Sequence, residues 1–164
     1  MRLLRMRALA VVVGAGVMIA GCWGDEVPSR DQVGALRAEG DEVTVLFGAC
    51  PGEVVERVAV NLTDDDFEEV LRELWAIEVD GGGSREQAFT VGQTPPGFLE
   101  VTALDGALEP GDHVQVVVTT SEQGTVPMSF EIDDLRSDEV LVRSSAYRSR
   151  AEFDEGISER CDEG

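Results

Sequence analysis

One imidazole, three thiols and a dense set of carboxylates are the reactive groups this chain offers. A hydrolytic triad needs a base, and the one imidazole is His113. It stands beside Asp112 and shares a strand side with Gln115, opposite Val114 and Val116, which makes a solvated position the expectation. No Gly-x-Ser-x-Gly elbow and no His-Glu-x-x-His pair occurs. Carboxylates are so frequent that no pair singles itself out as a glycosidase site. Gly81-Gly82-Gly83 lacks the lysine that a phosphate loop requires. The sharper metal candidate is calcium at the acidic run, with Asp64 and Asp66 as ligands beside Asp65, Glu68 and Glu69. The spacing of an EF-hand and its central glycine are absent, and a capped helix start with a solvated acidic face explains the same residues. No cofactor is called for.

The thiols depend on what precedes them. Arg2, Arg5 and Arg7 are followed by an apolar run from Ala8 to Ala20. Basic start, apolar core and small residues at a cut make a secretory signal over residues 1–21. The run is roughly a dozen residues, short of the ~20 that span a bilayer as a helix. Ile19-Ala20-Gly21-Cys22 resembles the lipobox of bacterial lipoproteins. The resemblance implies that the Cys22 thiol carries acyl chains such as palmitate, that the peptide is cut before it, and that the protein hangs from the extracytoplasmic face of the cell membrane. An ordinary cleaved signal with a chance cysteine is the plainer alternative. If Cys22 carries lipid, Cys50 and Cys161 remain as a pair, and outside the cytoplasm a disulfide is their default fate. Closing a loop of ~100 residues stabilises by about 4–5 kcal/mol in the chain-entropy picture. A metal site on these two cysteines would need further ligands, and His113 is the single histidine.

Charge narrows the partners. All 33 acidic residues follow Cys22, whereas three of the 13 basic residues precede it, and every basic residue is arginine. The net charge of −20 repels phosphate backbones, which argues against nucleic-acid binding. It equally repels anionic lipid heads, leaving the acyl chains on Cys22 as the membrane contact. The surface is either a solvating acidic coat or an attractor of cations and basic partners.

The elements that must position these groups read mainly as strands. Residues 22–41 look like a polar tether that would hold the domain about 25 Å from the surface on average, with a short helical turn starting at Ser29 and running through Leu36. From residue 42 to 164 a domain follows. Val43, Val45 and Phe47 alternate, as do Val58, Val60 and Leu62 within Val54–Leu62. Asp64–Arg72 reads as a short helix, because Phe67, Val70, Leu71 and Leu74 recur at helical spacing after an acidic first turn. Trp75, Ile77 and Val79 then alternate as a strand, and one long strand with Asp64–Asp66 at a turn is the runner-up. Ala88–Val91, Phe98–Leu104, Val114–Thr120, a strand with Met128, Phe130 and Ile132 inward, and Val140–Arg143 complete the set. Ser149-Arg150-Ala151-Glu152 fits a capping box, opening a short helix near Ala151–Glu155 with Phe153 against the core and Cys161 carried towards Cys50.

About eight strands with turn chemistry between them, and one or two short helices, make the chain all-β: an antiparallel β-sandwich, immunoglobulin-like if Trp75 is buried on a middle strand. Gly48-Ala49-Cys50-Pro51-Gly52-Glu53, Trp75-Ala76-Ile77, Val91 through Phe98 and Cys161 together are similar to uncharacterised secreted lipoproteins of actinobacteria. That resemblance brings no catalytic signature. Thr94, Pro95, Pro96, Gly97 and Phe98 form a stiff turn and the candidate contact loop, since rigid proline loses little freedom on binding if Phe98 is exposed. The expectation is a lipid-anchored, non-catalytic binding or accessory module for an envelope protein or cell-wall partner. A small envelope hydrolase using His113 and a calcium-binding module are the alternatives.

Overall fold

The computed structural model describes residues 33–40, 42–132, 138–142 and 146–162. Cys22, the signal and most of the tether lie outside these residues. In chain order the strands are β1 (Gly34–Glu39), β2 (Glu42–Phe47), β3 (Val55–Thr63), β4 (Val70–Val79), β5 (Ala88–Thr90), β6 (Phe98–Thr102), β7 (His113–Thr120), β8 (Gly124–Glu131), β9 (Glu139–Val142) and β10 (Ala146–Ser149), followed by helix α1 (Arg150–Asp162). One five-stranded sheet runs β10-β9-β1-β2-β5, and the other runs β6-β4-β3-β7-β8, with every pairing antiparallel.

The result is the expected antiparallel β-sandwich. The β8-β7-β3-β4 row faces a sheet containing β1-β2-β5, and the chain crosses from one sheet to the other between β2 and β3, as in immunoglobulin-like sandwiches. Trp75 is fully buried on β4, one place in from the edge. The period-two pattern explains the core. Val45 and Phe47, Val58 and Val60, Val114, Val116 and Val118, and Met128 and Phe130 all turn inward between the sheets. At Gly34 a Cβ would collide with the Met128 sulfur, so the Met128 side chain of β8 lies directly against the bare backbone of β1.

Three expectations give way. Residues 34–39 are not tether but strand β1, paired along its length with β2 and buried at Ala35 and Leu36, so the expected helical turn does not extend through Leu36, while its start at Ser29 lies outside the described residues. Asp64–Arg72 is not a helix. β3 and β4 pair with register shifts at Val60/Asn61 and at Leu62/Thr63, and the unpaired extra residues on β4 are Leu74 and Leu71. Each bulge inserts one residue into the alternation, and two insertions mimic helical spacing. The third change lies at the C-terminus, where β10 follows β9 and α1 runs to Asp162, well past Glu155.

A second apolar cluster lies on the outer face of the first sheet. Ala35, Leu46, Val140 and Val142 are buried there under Phe153, with Ile157 packed alongside. Ser149 starts α1 as the capping box requires: its hydroxyl accepts from the Glu152 amide at 3.3 Å, and Glu152 accepts from the Ser149 amide at 2.9 Å. The helix runs in over Gly48, where any Cβ would strike Ile157.

Candidate binding surface

Cys50 and Cys161 are joined, with Cα atoms 5.4 Å apart across a separation of 111 residues. The bond ties the end of α1 to the turn after β2. Around it Glu53 is buried, accepting from the Cys50 amide at 3.0 Å, the Thr120 hydroxyl at 2.7 Å and the Gln123 side-chain amide at 2.8 Å. A buried carboxylate with three donors locks the disulfide turn to the β7–β8 hairpin. Arg160 donates to the Gly48 carbonyl, while its Nε finds no acceptor among the described residues. Burial holds the Arg160 guanidinium below the usual arginine range, and the Glu53 charge works in the opposite direction. Cys50, Pro51, Glu53, Glu122, Gln123, Arg160 and Cys161 line an open cleft of about 500 Å³.

His113 is not fully solvated as expected. It is half-buried, with its ring 5.0 Å from that of Phe67 and its Nδ1 buried without a partner among the described residues. The Thr63 hydroxyl donates to its carbonyl at 3.0 Å. Phe67 reaches the imidazole through a left-handed backbone, φ +58°, an uncommon state for a bulky side chain. His113 does not line the disulfide cleft, the narrower cleft beneath α1 or the open cleft beside Gly82 and Gly83.

The acidic run is organised by its own backbone. Asp64 Oδ1 accepts from the Glu68 amide at 2.8 Å and the Glu69 amide at 3.1 Å, and the Phe67 amide donates to the Asp64 carbonyl at 3.1 Å. Asp65 and Asp66 point to solvent. Among the described residues no three His, Cys, Asp or Glu side chains converge as metal ligands.

The candidate contact loop divides. Gly97 has φ +86° and the Phe98 amide donates to the Pro95 carbonyl at 3.1 Å, closing the expected turn. Thr94, Pro96 and Gly97 are exposed and Pro95 is half-buried. Phe98 is only 6% exposed and packs edge-on against Phe89 at 5.5 Å, so it serves the core and not the surface.

Exposed apolar surface lies elsewhere. Val70, Leu71, Leu99, Val101 and Leu104 are each 40–56% exposed, and all five belong to β4, to β6 or to the turn just after β6. β6 ends its sheet, and its pairing with β4 is itself irregular between Ala76 and Ile77. The arginines nearby are engaged: Arg72 with Asp105 at 2.5 Å, and Arg57 with Glu73 at 2.7 Å and Glu78 at 3.7 Å. Sequence reasoning missed this row because Leu99, Val101 and Leu104 read as ordinary strand residues. The signal that exposes them is strand order, which periodicity does not encode.

No family model matches the chain, and neither the curated proteins nor the solved structures contain a match to it. Among the described residues no helix is long and apolar enough to cross a membrane.

Proposed function

We propose that the protein is a lipid-anchored, extracytoplasmic binding module that acts without catalysis, presenting a disulfide-closed sandwich to a partner in the cell envelope. The observation that carries the binding role is five exposed aliphatic side chains spread along β4, β6 and the segment after it. Aliphatic surface of this kind gains by being covered, and it stands on rigid strands that lose little freedom when it is. Support for the anchor comes from Ile19-Ala20-Gly21-Cys22 after an apolar run. The Cys50–Cys161 bond fits an oxidising compartment, where such bonds persist. His113 packs under Phe67 and lines none of the three clefts described above, which favours binding over hydrolysis.

The test is cell fractionation of Cys22→Ala beside the parent chain. The parent is expected in the membrane fraction and the variant in the soluble or uncleaved precursor fraction. A variant still lipid-modified and equally membrane-bound would overturn the anchor.

A further inference from the structure

The Cys50–Cys161 bond lies at an open cleft and secures an element that is weak on its own. We propose that it is an exchangeable latch: a protein dithiol of the thioredoxin class reduces it from the cleft, and α1 then leaves the outer face of the first sheet while the sandwich stays folded.

The position of the bond carries the first half of this assignment. Neither cysteine belongs to an apolar cluster, and both are half-buried and line the open cleft of about 500 Å³. An attacking thiolate therefore has a path to the sulfurs, which a bridge inside a sandwich core denies it. The closed bond is the resting form in an oxidising compartment. In the exchange, one thiolate of the reductant attacks one sulfur of the pair. The S–S electron pair leaves on the other sulfur as a thiolate, which takes up a proton. The reductant's second thiol, as thiolate, then displaces the mixed disulfide. The reductant ends as its own disulfide and the two cysteines as thiols, two electrons and two protons having passed between them.

What the bond holds carries the second half. α1 has 13 residues, a length at which an isolated helix is marginal in water. Gly156 stands in its interior, Glu155 and Glu159 are like charges at i,i+4, and Glu159 and Asp162 lie at the negative end of the helix dipole. Phe153 is its one buried side chain, and a cleft of about 210 Å³ remains beneath it, lined among others by Phe47, Phe153 and Ile157.

The two ends of the bond are also held unequally. Cys50 keeps its place without it, because the Glu53 amide donates to the Cys50 carbonyl at 3.0 Å and the Glu53 carboxylate gathers the Cys50 amide, Thr120 and Gln123. Cys161 rides on the last turn of α1, beside the bond from Arg160 to the Gly48 carbonyl. Opening the latch leaves Cys50 in its turn, frees Cys161 with the helix and returns Arg160 Nε to water. Ala35, Leu46, Val140 and Val142 are uncovered, and they form a cluster apart from the core between the sheets, which keeps its packing.

The experiment treats the full chain, purified from cells without reductant, with thioredoxin, its reductase and NADPH in the absence of denaturant. Alkylation at Cys50 and Cys161 and amide hydrogen exchange are followed by mass spectrometry. Both cysteines are expected to become alkylatable, and protection in α1 to fall by about tenfold or more while β3 and β7 keep theirs. Reoxidation is expected to restore α1. Cys50→Ser with Cys161→Ser is expected to show the released pattern with or without thioredoxin. The proposal is overturned if the bond resists thioredoxin until denaturant is added, if α1 keeps its protection after reduction, or if β3 and β7 lose theirs together with it. None of these readouts involves Cys22, so failure of the latch is separable from failure of the anchored-module reading.

Discussion

Asp64 shows how one side chain redirects a segment. Its carboxylate collects two amides within five residues, at 2.8 and 3.1 Å, and the turn it closes forces Phe67 to φ +58° over His113. The sequence displays the acids and the helical spacing, yet the amides are spent on a turn and not on a helix start. Replacing Asp64 with alanine is expected to lower stability by about 1 kcal/mol, read from the denaturation midpoint. Because Asp64 already serves those amides, millimolar calcium is expected to leave the melting temperature where chelator leaves it. A clear upward shift, lost in Asp64→Asn with Asp66→Asn, would restore the calcium reading. At the other end of the chain, the Ser149 hydroxyl, then its amide, holds the Glu152 carboxyl below the ordinary glutamate range. A carboxylate with a lowered folded pKa stabilises fully above its unfolded value and stops doing so as pH falls through the folded one. Protection at the first turn of α1, measured relative to the unfolded exchange rate at each pH, should therefore fall in acid, and Glu152→Gln should flatten that dependence.

Elements were legible where packing preserves the local period. Val114, Val116 and Val118 on β7 and Met128 and Phe130 on β8 are buried as alternation requires, and the capping box at Ser149 opens α1 as read. Two kinds of element were not. β4 hides two bulges at Leu71 and Leu74, and a period broken twice looks like another period. β1 sits in a stretch with glycines at both ends, and only its pairing with β2 makes Gly34–Glu39 a strand. α1 is held by little of its own: Phe153 is its one buried side chain, so the disulfide and the seat at Gly48 must supply the rest. Phe153→Ala is expected to cost about 3 kcal/mol. Gly48→Val should displace Ile157 and raise exchange throughout α1 while β3 and β7 stay protected. Replacing Cys50 and Cys161 together with serine should lower stability by up to about 4 kcal/mol, with α1 the first element to open.

At the scale of the molecule, three properties work together. The sandwich gives a rigid frame, the bond between Cys50 and Cys161 ties its C-terminal helix back to the turn after β2, and the net charge of −20 is expected to repel phosphate backbones. The pairing of those two cysteines was foreseeable from their number and compartment. The exposure of aliphatic side chains along β4 and β6 was not, because it depends on which strands lie side by side. The proposed anchor at Cys22 would fix this frame at a membrane. Proteolytic mass spectrometry of the unreduced protein, extracted from cell membranes, addresses the central claim most directly. The expected result is a chain beginning at Cys22 with acyl chains on it, and a cross-linked peptide pair joining Cys50 to Cys161. A membrane-extracted chain with an unmodified Cys22 thiol, or with Cys50 and Cys161 both free, would contradict it.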